Sequence, residues 1–200
     1  MALTHRAFAS YEEYVRLQGG KARRQRTALL AGLPQSIKRF EQIFRAARVF
    51  LHPGPVLCLG ARTGAEAIAA VKIGFAGSVG IDLHPVAPGV VQADWHALPF
   101  PDASFANVFT NSLDHCLYLD KVTAEISRVL QPAGVLYLMA SDKGRKTEAT
   151  AAAWAVAAGN EALYWRHSDE LCEAVMGYGF ELVTAWRTGS WGAYILRPRR

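Results

Sequence analysis

From residue 54 onward the chain alternates short, almost wholly apolar runs with helix-period segments, and this constrains the fold more than any other feature. The runs lie at 56–59, 78–81, 90–91, 105–109 and 135–139, with a helical pattern at 63–73 between the first two. Strands that alternate with helices imply a parallel sheet covered on both faces, so each strand is apolar throughout instead of on every second residue. Before the fifth run, Val122, Ile126, Val129 and Leu130 share a helical face, and Gln131-Pro132-Ala133-Gly134 is expected to stop that helix. Ser168 reads as the N-cap of a helix to Met176, with Asp169 and Glu170 in its first turn. Segments 180–186 and 193–196, joined by the polar turn 187–190, read as an antiparallel hairpin at the sheet edge. The expected architecture is α/β and Rossmann-like: a mainly parallel seven-stranded sheet, a C-terminal antiparallel hairpin and helices on both faces.

Residues 1–53 read as an N-terminal helical cap on a core spanning 54–200, the whole forming one domain. Its helical pattern is expected to break at Gly19-Gly20 and again near Gly32-Leu33-Pro34. Ile37, Phe40, Ile43, Phe44 and Phe50 make an apolar stripe suited to docking on the core. The alanine-rich stretch 149–163 reads as a further helix. Two hundred residues suit a single domain with a sizeable core. Cys58, Cys116 and Cys172 have neither metal-ligand spacing nor the pattern of a disulfide framework. No apolar run reaches membrane-span length, and the first fifteen residues hold no signal-peptide core, so the expected location is the cytoplasm. The net charge of +5 is concentrated in Lys21, Arg23, Arg24 and Arg26 and in Arg197, Arg199 and Arg200. Such clusters attract nucleic acid or form a solvated face, and the solvated face is favoured.

In an open parallel sheet, ligands bind beyond the carboxyl ends of the strands where strand order reverses. The loop after the first apolar run is Gly60-Ala61-Arg62-Thr63-Gly64, leading directly into a helix, with glycines that allow a tight turn and close approach. Asp82 ends the second run eighteen residues after Gly64, where a carboxylate can accept from both hydroxyls of a ribose. The dinucleotide fingerprint is incomplete, because Ala65-Glu66 follow Gly64 where a third glycine would be needed; a nicotinamide dehydrogenase is disfavoured.

The ordered series VLCLGARTGAE, VGIDLHP and VQADWHALPFPDASFANVFTNSLDHCLYLDKVTAEISRVLQPAGVLYLM resembles the motifs of class I S-adenosylmethionine-dependent methyltransferases, above all the small-molecule group often called type 11. The resemblance is strong over 56–139 and looser over the last helix and hairpin. It implies S-adenosyl-L-methionine as cofactor and a small-molecule acceptor. By position, Gly60, Ala61, Arg62 and Gly64 would line the methionine portion and Asp82 would bind the ribose. Asp94 would face the adenine amino group with Leu83 and Trp95 near the ring, and Asn111 would lie beside the sulfonium. Two departures stand out: the family usually has an acid at the position of Cys58 and a second glycine at that of Arg62. Arg62 either recognises the cofactor carboxylate or points away from it.

His115, in the loop Asp114-His115-Cys116-Leu117-Tyr118, is the first candidate for a general base, since its ordinary pKa lies near neutrality. Tyr11, Tyr14 and Gln18, with Trp154, Tyr164, Trp165 and His167, are candidates for a lid and acceptor pocket or for plain packing. Two rival readings remain open: a catalytically silent S-adenosylmethionine-binding or scaffold protein, and a nucleic-acid methyltransferase. The latter is disfavoured because TNSLDH lacks the proline-aromatic motif of base amino methyltransferases. The sequence sets neither the acceptor nor the oligomeric state.

Overall fold

The computed structural model describes residues 3–142 and 161–200. Its N-terminal part comprises β1 (Thr4–His5), α1 (Tyr11–Ala31) and α2 (Leu33–Ala47). The core continues with β2 (Val56–Leu59), α3 (Ala65–Lys72), β3 (Val79–Asp82), β4 (Val90–Gln92) and β5 (Phe105–Thr110). Then come α4 (Leu119–Val129), β6 (Leu130–Ser141), β7 (Leu163–Tyr164), α5 (Ser168–Gly177), β8 (Phe180–Thr188) and β9 (Trp191–Pro198).

Seven strands form one sheet in the order β4-β3-β2-β5-β6-β9-β8. The first five are mutually parallel, β9 runs antiparallel to β6, and β8 closes the edge as the second arm of a hairpin. The chain builds outward from β2 to β4, then returns to the other side of β2 with β5. Strand order therefore reverses between β2 and β5, where a crevice is expected at the carboxyl ends.

Burial explains the uninterrupted apolar strands. Successive side chains alternate faces: Leu57 and Leu59 pack with α4 and α5 residues such as Ile126 and Leu171, while Val56 and Cys58 pack with Phe44 of α2 and Ala69 of α3. The α2 stripe docks as expected through buried Phe40 and Phe44, whose rings meet Phe109 edge-on at 5.9 and 4.9 Å. Phe50 instead stays partly exposed and stacks on Trp186. The turn into β2 is clamped by fully buried Asn107, which accepts from the His52 N–H and donates to the His52 carbonyl, both at 2.9 Å.

Several expectations from sequence are corrected. Helix α1 runs unbroken through Gly19-Gly20. A Cβ on Gly19 would lie 3.0 Å from the His84 ring, and His84 Nε2 donates to the Val15 carbonyl at 2.8 Å. Here glycine serves close packing against the helix, not its termination. Helix α4 ends at Val129, before the expected stop at Gln131–Gly134, and those four residues lie within β6, which begins at Leu130 and pairs with Phe105 before a register shift restores the ladder at Asn107↔Val135. Ser168 is the first residue of α5, not its cap: Asp142 Oδ1 accepts from the Ser168 N–H at 2.8 Å and its hydroxyl at 2.9 Å. The two-stranded β1–β7 pair had no signal in the sequence. Of the expected helix 149–163, residues 149–160, with Trp154, lie outside the described residues, and Leu163 belongs to β7.

Candidate functional site

Beyond the carboxyl ends of β2, β3 and β5 the loops enclose a cavity of about 290 Å³, at the lower end of the ~300–1,000 Å³ usual for small-molecule sites. The loop between β2 and α3 shapes one wall. Ala61 N–H donates to the Ile81 carbonyl at 2.8 Å and Gly64 N–H to the Ala61 carbonyl at 2.6 Å, tying the loop to the neighbouring strand. Gly60 has φ +74°, and a Cβ there would sit 2.8 Å from Ser112 Cβ and 3.5 Å from the Trp95 ring. Glycine is thus required both for the turn and for the space it leaves.

Gly60, Arg62, Asp82, Leu83, Asp94, Trp95, Asn111 and His115 all line this cavity, so eight positions singled out in the sequence converge on one site. Ala61 and Gly64 do not line it. Ala61 is fully buried under the loop, and Gly64 caps α3 in the left-handed conformation, where a Cβ would meet Val90 at 3.0 Å.

Asp82 is only 7% exposed; its Oδ1 accepts from the His84 N–H at 2.7 Å, and its Oδ2 lies 3.8 Å from Arg62 Nε. The guanidinium therefore stands beside the carboxylate, within Coulombic reach but beyond hydrogen-bond distance. Asp94 Oδ1 accepts from the His96 N–H at 2.9 Å and lies 2.7 Å from His96 Nδ1, while Oδ2 accepts from the Tyr11 hydroxyl at 2.6 Å. Burial would raise the Asp94 pKa, but these hydrogen bonds from His96 and Tyr11 outweigh it and hold the carboxyl at about 2. Burial, with Asp94 as partner, pushes the Tyr11 phenol far up, so it stays a donor. Asn111 accepts from the Ser112 hydroxyl at 3.1 Å.

The N-terminal helix forms the opposite wall. Tyr11, Tyr14 and Gln18 project from α1 into the cavity lining. Tyr14 donates to the His115 carbonyl at 2.6 Å, and Gln18 Nε2 lies 3.4 Å from His115 Nδ1. Of the other lid candidates, Tyr164, Trp165 and His167 do not line this cavity. Trp165 is buried in the core with its indole N–H on the Ser141 carbonyl at 2.8 Å, and Tyr164 and His167 sit in β7 and at the start of α5. Cys58 is fully buried, and burial raises its thiol pKa well above the ordinary value, with Glu66 adding to the rise. Arg23 and Arg26 line a second pocket with His84 and do not line the main cavity.

Sequence reasoning missed Glu66. It lies in the first turn of α3, lines the cavity and is 9% exposed, and its Oε2 has no hydrogen-bond partner. No signal in the sequence marked it, because what sets this helix apart is a property of the fold: Ile68 is 40% and Val71 48% exposed. A helix that buries its acid and exposes branched apolar residues inverts the usual pattern, as functional positions do.

Residues 57–138 match the model of a family described as a methyltransferase domain, and no curated protein matches the chain in sequence. Among solved structures, 1,6-didemethyltoxoflavin-N1-methyltransferase from Burkholderia thailandensis, with bound 1,6-didemethyltoxoflavin and S-adenosylhomocysteine, is similar at TM-score 0.64 and 16% identity; the match covers 100% of this chain and 95% of that one. The glycopeptide N-methyltransferase MtfA is similar at TM-score 0.60 and 14% identity, covering 82% and 90% of the two chains. The [4+2]-cyclase SpnF is similar at TM-score 0.64 and 16% identity, covering 80% and 81%. Residues 57–138 thus match a methyltransferase-domain model, and the chain has the Rossmann-like methyltransferase fold of these solved structures.

Proposed function

We propose that this protein binds S-adenosylmethionine in the cavity above β2, β3 and β5 and transfers its methyl group to a small-molecule acceptor. The observation that carries the reading is the convergence of Asp82, Asp94, Trp95 and Asn111 with the Gly60 turn on one cavity at the reversal of strand order. The residues fit the cofactor: Asp82 offers a carboxylate oxygen toward a ribose, and the space a Cβ on Gly60 would fill lies beside Trp95. The sulfonium supplies a methyl group already activated for in-line displacement. The protein's part is alignment, worth up to ~7–11 kcal/mol when near-attack geometry is held. Tyr11, Tyr14 and Gln18 line the site from α1 and would border the acceptor. His115, which lines the cavity, would take a proton from an acceptor that must lose one.

Isothermal calorimetry with S-adenosylhomocysteine, followed by transfer of labelled methyl from S-adenosylmethionine into a panel of small acceptors, tests the reading. No heat and no label would sink it. Heat without label, across acceptors and nucleic acids alike, would instead support binding without transfer. The likeness to a cyclase gives that second reading substance, because one fold hosts more than one chemistry.

A further inference from the structure

Two residues that line the cavity near the start of α3 carry buried polar atoms of opposite character without hydrogen-bond partners: Arg62 Nε and Glu66 Oε2. A buried polar atom without a hydrogen-bond partner is costly, even where, as for Arg62, a carboxylate stands 3.8 Å away, and its persistence calls for a reason. The two residues are four apart on either side of the start of α3, and both line the cavity. Groups bearing on Glu66 come from every side: Asp82 of β3, Arg39 of α2 and Cys58 of β2. None of them hydrogen-bonds Oε2.

We propose that Glu66 and Arg62 form a clamp for a zwitterionic amino-acid tail, with the Glu66 carboxylate on its α-ammonium and the Arg62 guanidinium on its α-carboxylate. The assignment rests on the cofactor reading above and deepens it: the tail is the methionine end of S-adenosylmethionine, held by one side chain of each sign. Arg62 is suited to its half because a guanidinium can grip a carboxylate through two parallel bonds. Glu66 supplies the complementary charge at the helix start, and neutral Cys58 on the underlying strand leaves it without a second acid from that strand. An adenosyl ligand without the tail would miss both contacts.

Burial pushes the Glu66 carboxyl up to about 7; Asp82 adds to the rise, while a hydrogen bond from its own backbone and the charge of Arg39 offset part of it. An ammonium selects the ionised form. Binding of a tailed ligand therefore strengthens as pH rises through about 7 and releases protons near that pH.

The test compares S-adenosylhomocysteine with 5′-methylthioadenosine, which keeps the nucleoside and sulfur but lacks the amino-acid end. Titration calorimetry on the wild type between pH 6 and 8, in buffers of different ionisation enthalpy, should show proton release with the first ligand and none with the second. Glu66→Gln should weaken S-adenosylhomocysteine by about tenfold or more at pH 8 and leave 5′-methylthioadenosine unchanged to within about twofold. Retained 5′-methylthioadenosine binding certifies that the variant is folded. Equal losses for both ligands, or tailed-ligand binding with neither pH dependence nor proton release, overturns the clamp while leaving the cofactor reading intact. If neither ligand binds the wild type, both fall together.

Discussion

Glu66 illustrates how one residue trades stability for recognition. Its carboxyl is raised from 4.5 to about 7, chiefly by burial. Between those values the native protein holds a proton that the unfolded chain has released, so stability falls as pH rises across that window. Glu66→Gln removes the ionised group and should stabilise the ligand-free protein by roughly 3 kcal/mol at pH 8, with the gain falling to about 1 kcal/mol at pH 5 and vanishing below about pH 4. Urea midpoints of both proteins at the two pH values check this; a gain independent of pH would refute the linkage. His115 poses a different question, since its backbone carbonyl already holds Tyr14. If its ring acts as the base, His115→Ala should lower turnover by about 10²–10⁴-fold with S-adenosylhomocysteine affinity intact; unchanged turnover removes it from the chemistry.

Among the elements, α1 and α5 are held in place by a few polar contacts each. Helix α1 reaches the site wall through Tyr14 on the His115 carbonyl, Tyr11 on Asp94 and the Val15 carbonyl on His84. Tyr14→Phe loses one hydrogen bond, about 1 kcal/mol, so amide exchange in α1 should rise by about fivefold while the sheet stays protected. Equal acceleration in β5 would mean that the helix is no separate unit. Helix α5 meets the sheet through Ser168, which donates to Asp142 and accepts from the Tyr194 hydroxyl at 2.8 Å, and Arg187 pairs with the same Asp142. A Cβ on Gly192 would fall 2.2 Å from that hydroxyl and 2.4 Å from Ser168 Oγ. Gly192→Ala should therefore cost about 1–3 kcal/mol, read as a lowered thermal midpoint; an unchanged midpoint would show that the network gives way freely. These contacts explain why local reading misplaced some boundaries. Gly19 and Ser168 carry helix-breaking and helix-capping signals by residue type, but His84 and Asp142, 65 and 26 positions away, decide what each does.

At the scale of the whole molecule, any ligand that binds only the folded state stabilises it by mass action. S-adenosylhomocysteine at a hundred times its Kd should add about 2.7 kcal/mol and raise the thermal midpoint by roughly 5–10 °C; a flat scan would contradict the cofactor reading. No helix among the described residues is long and apolar enough to cross a membrane. The parallel sheet, its edge hairpin and the convergence of the loop after β2 with Asp82, Asp94 and His115 were legible from the residues alone. Apolar runs buried on both faces and glycine loops leading into helices are local patterns, and their order along the chain fixes where the strand ends gather. The inward turn of Glu66, the pairing of Asp94 with Tyr11, the β1–β7 pair and the closure of the site by α1 were decided only in three dimensions. Each depends on partners far apart in sequence, and burial and charge become properties of a residue only once those partners surround it.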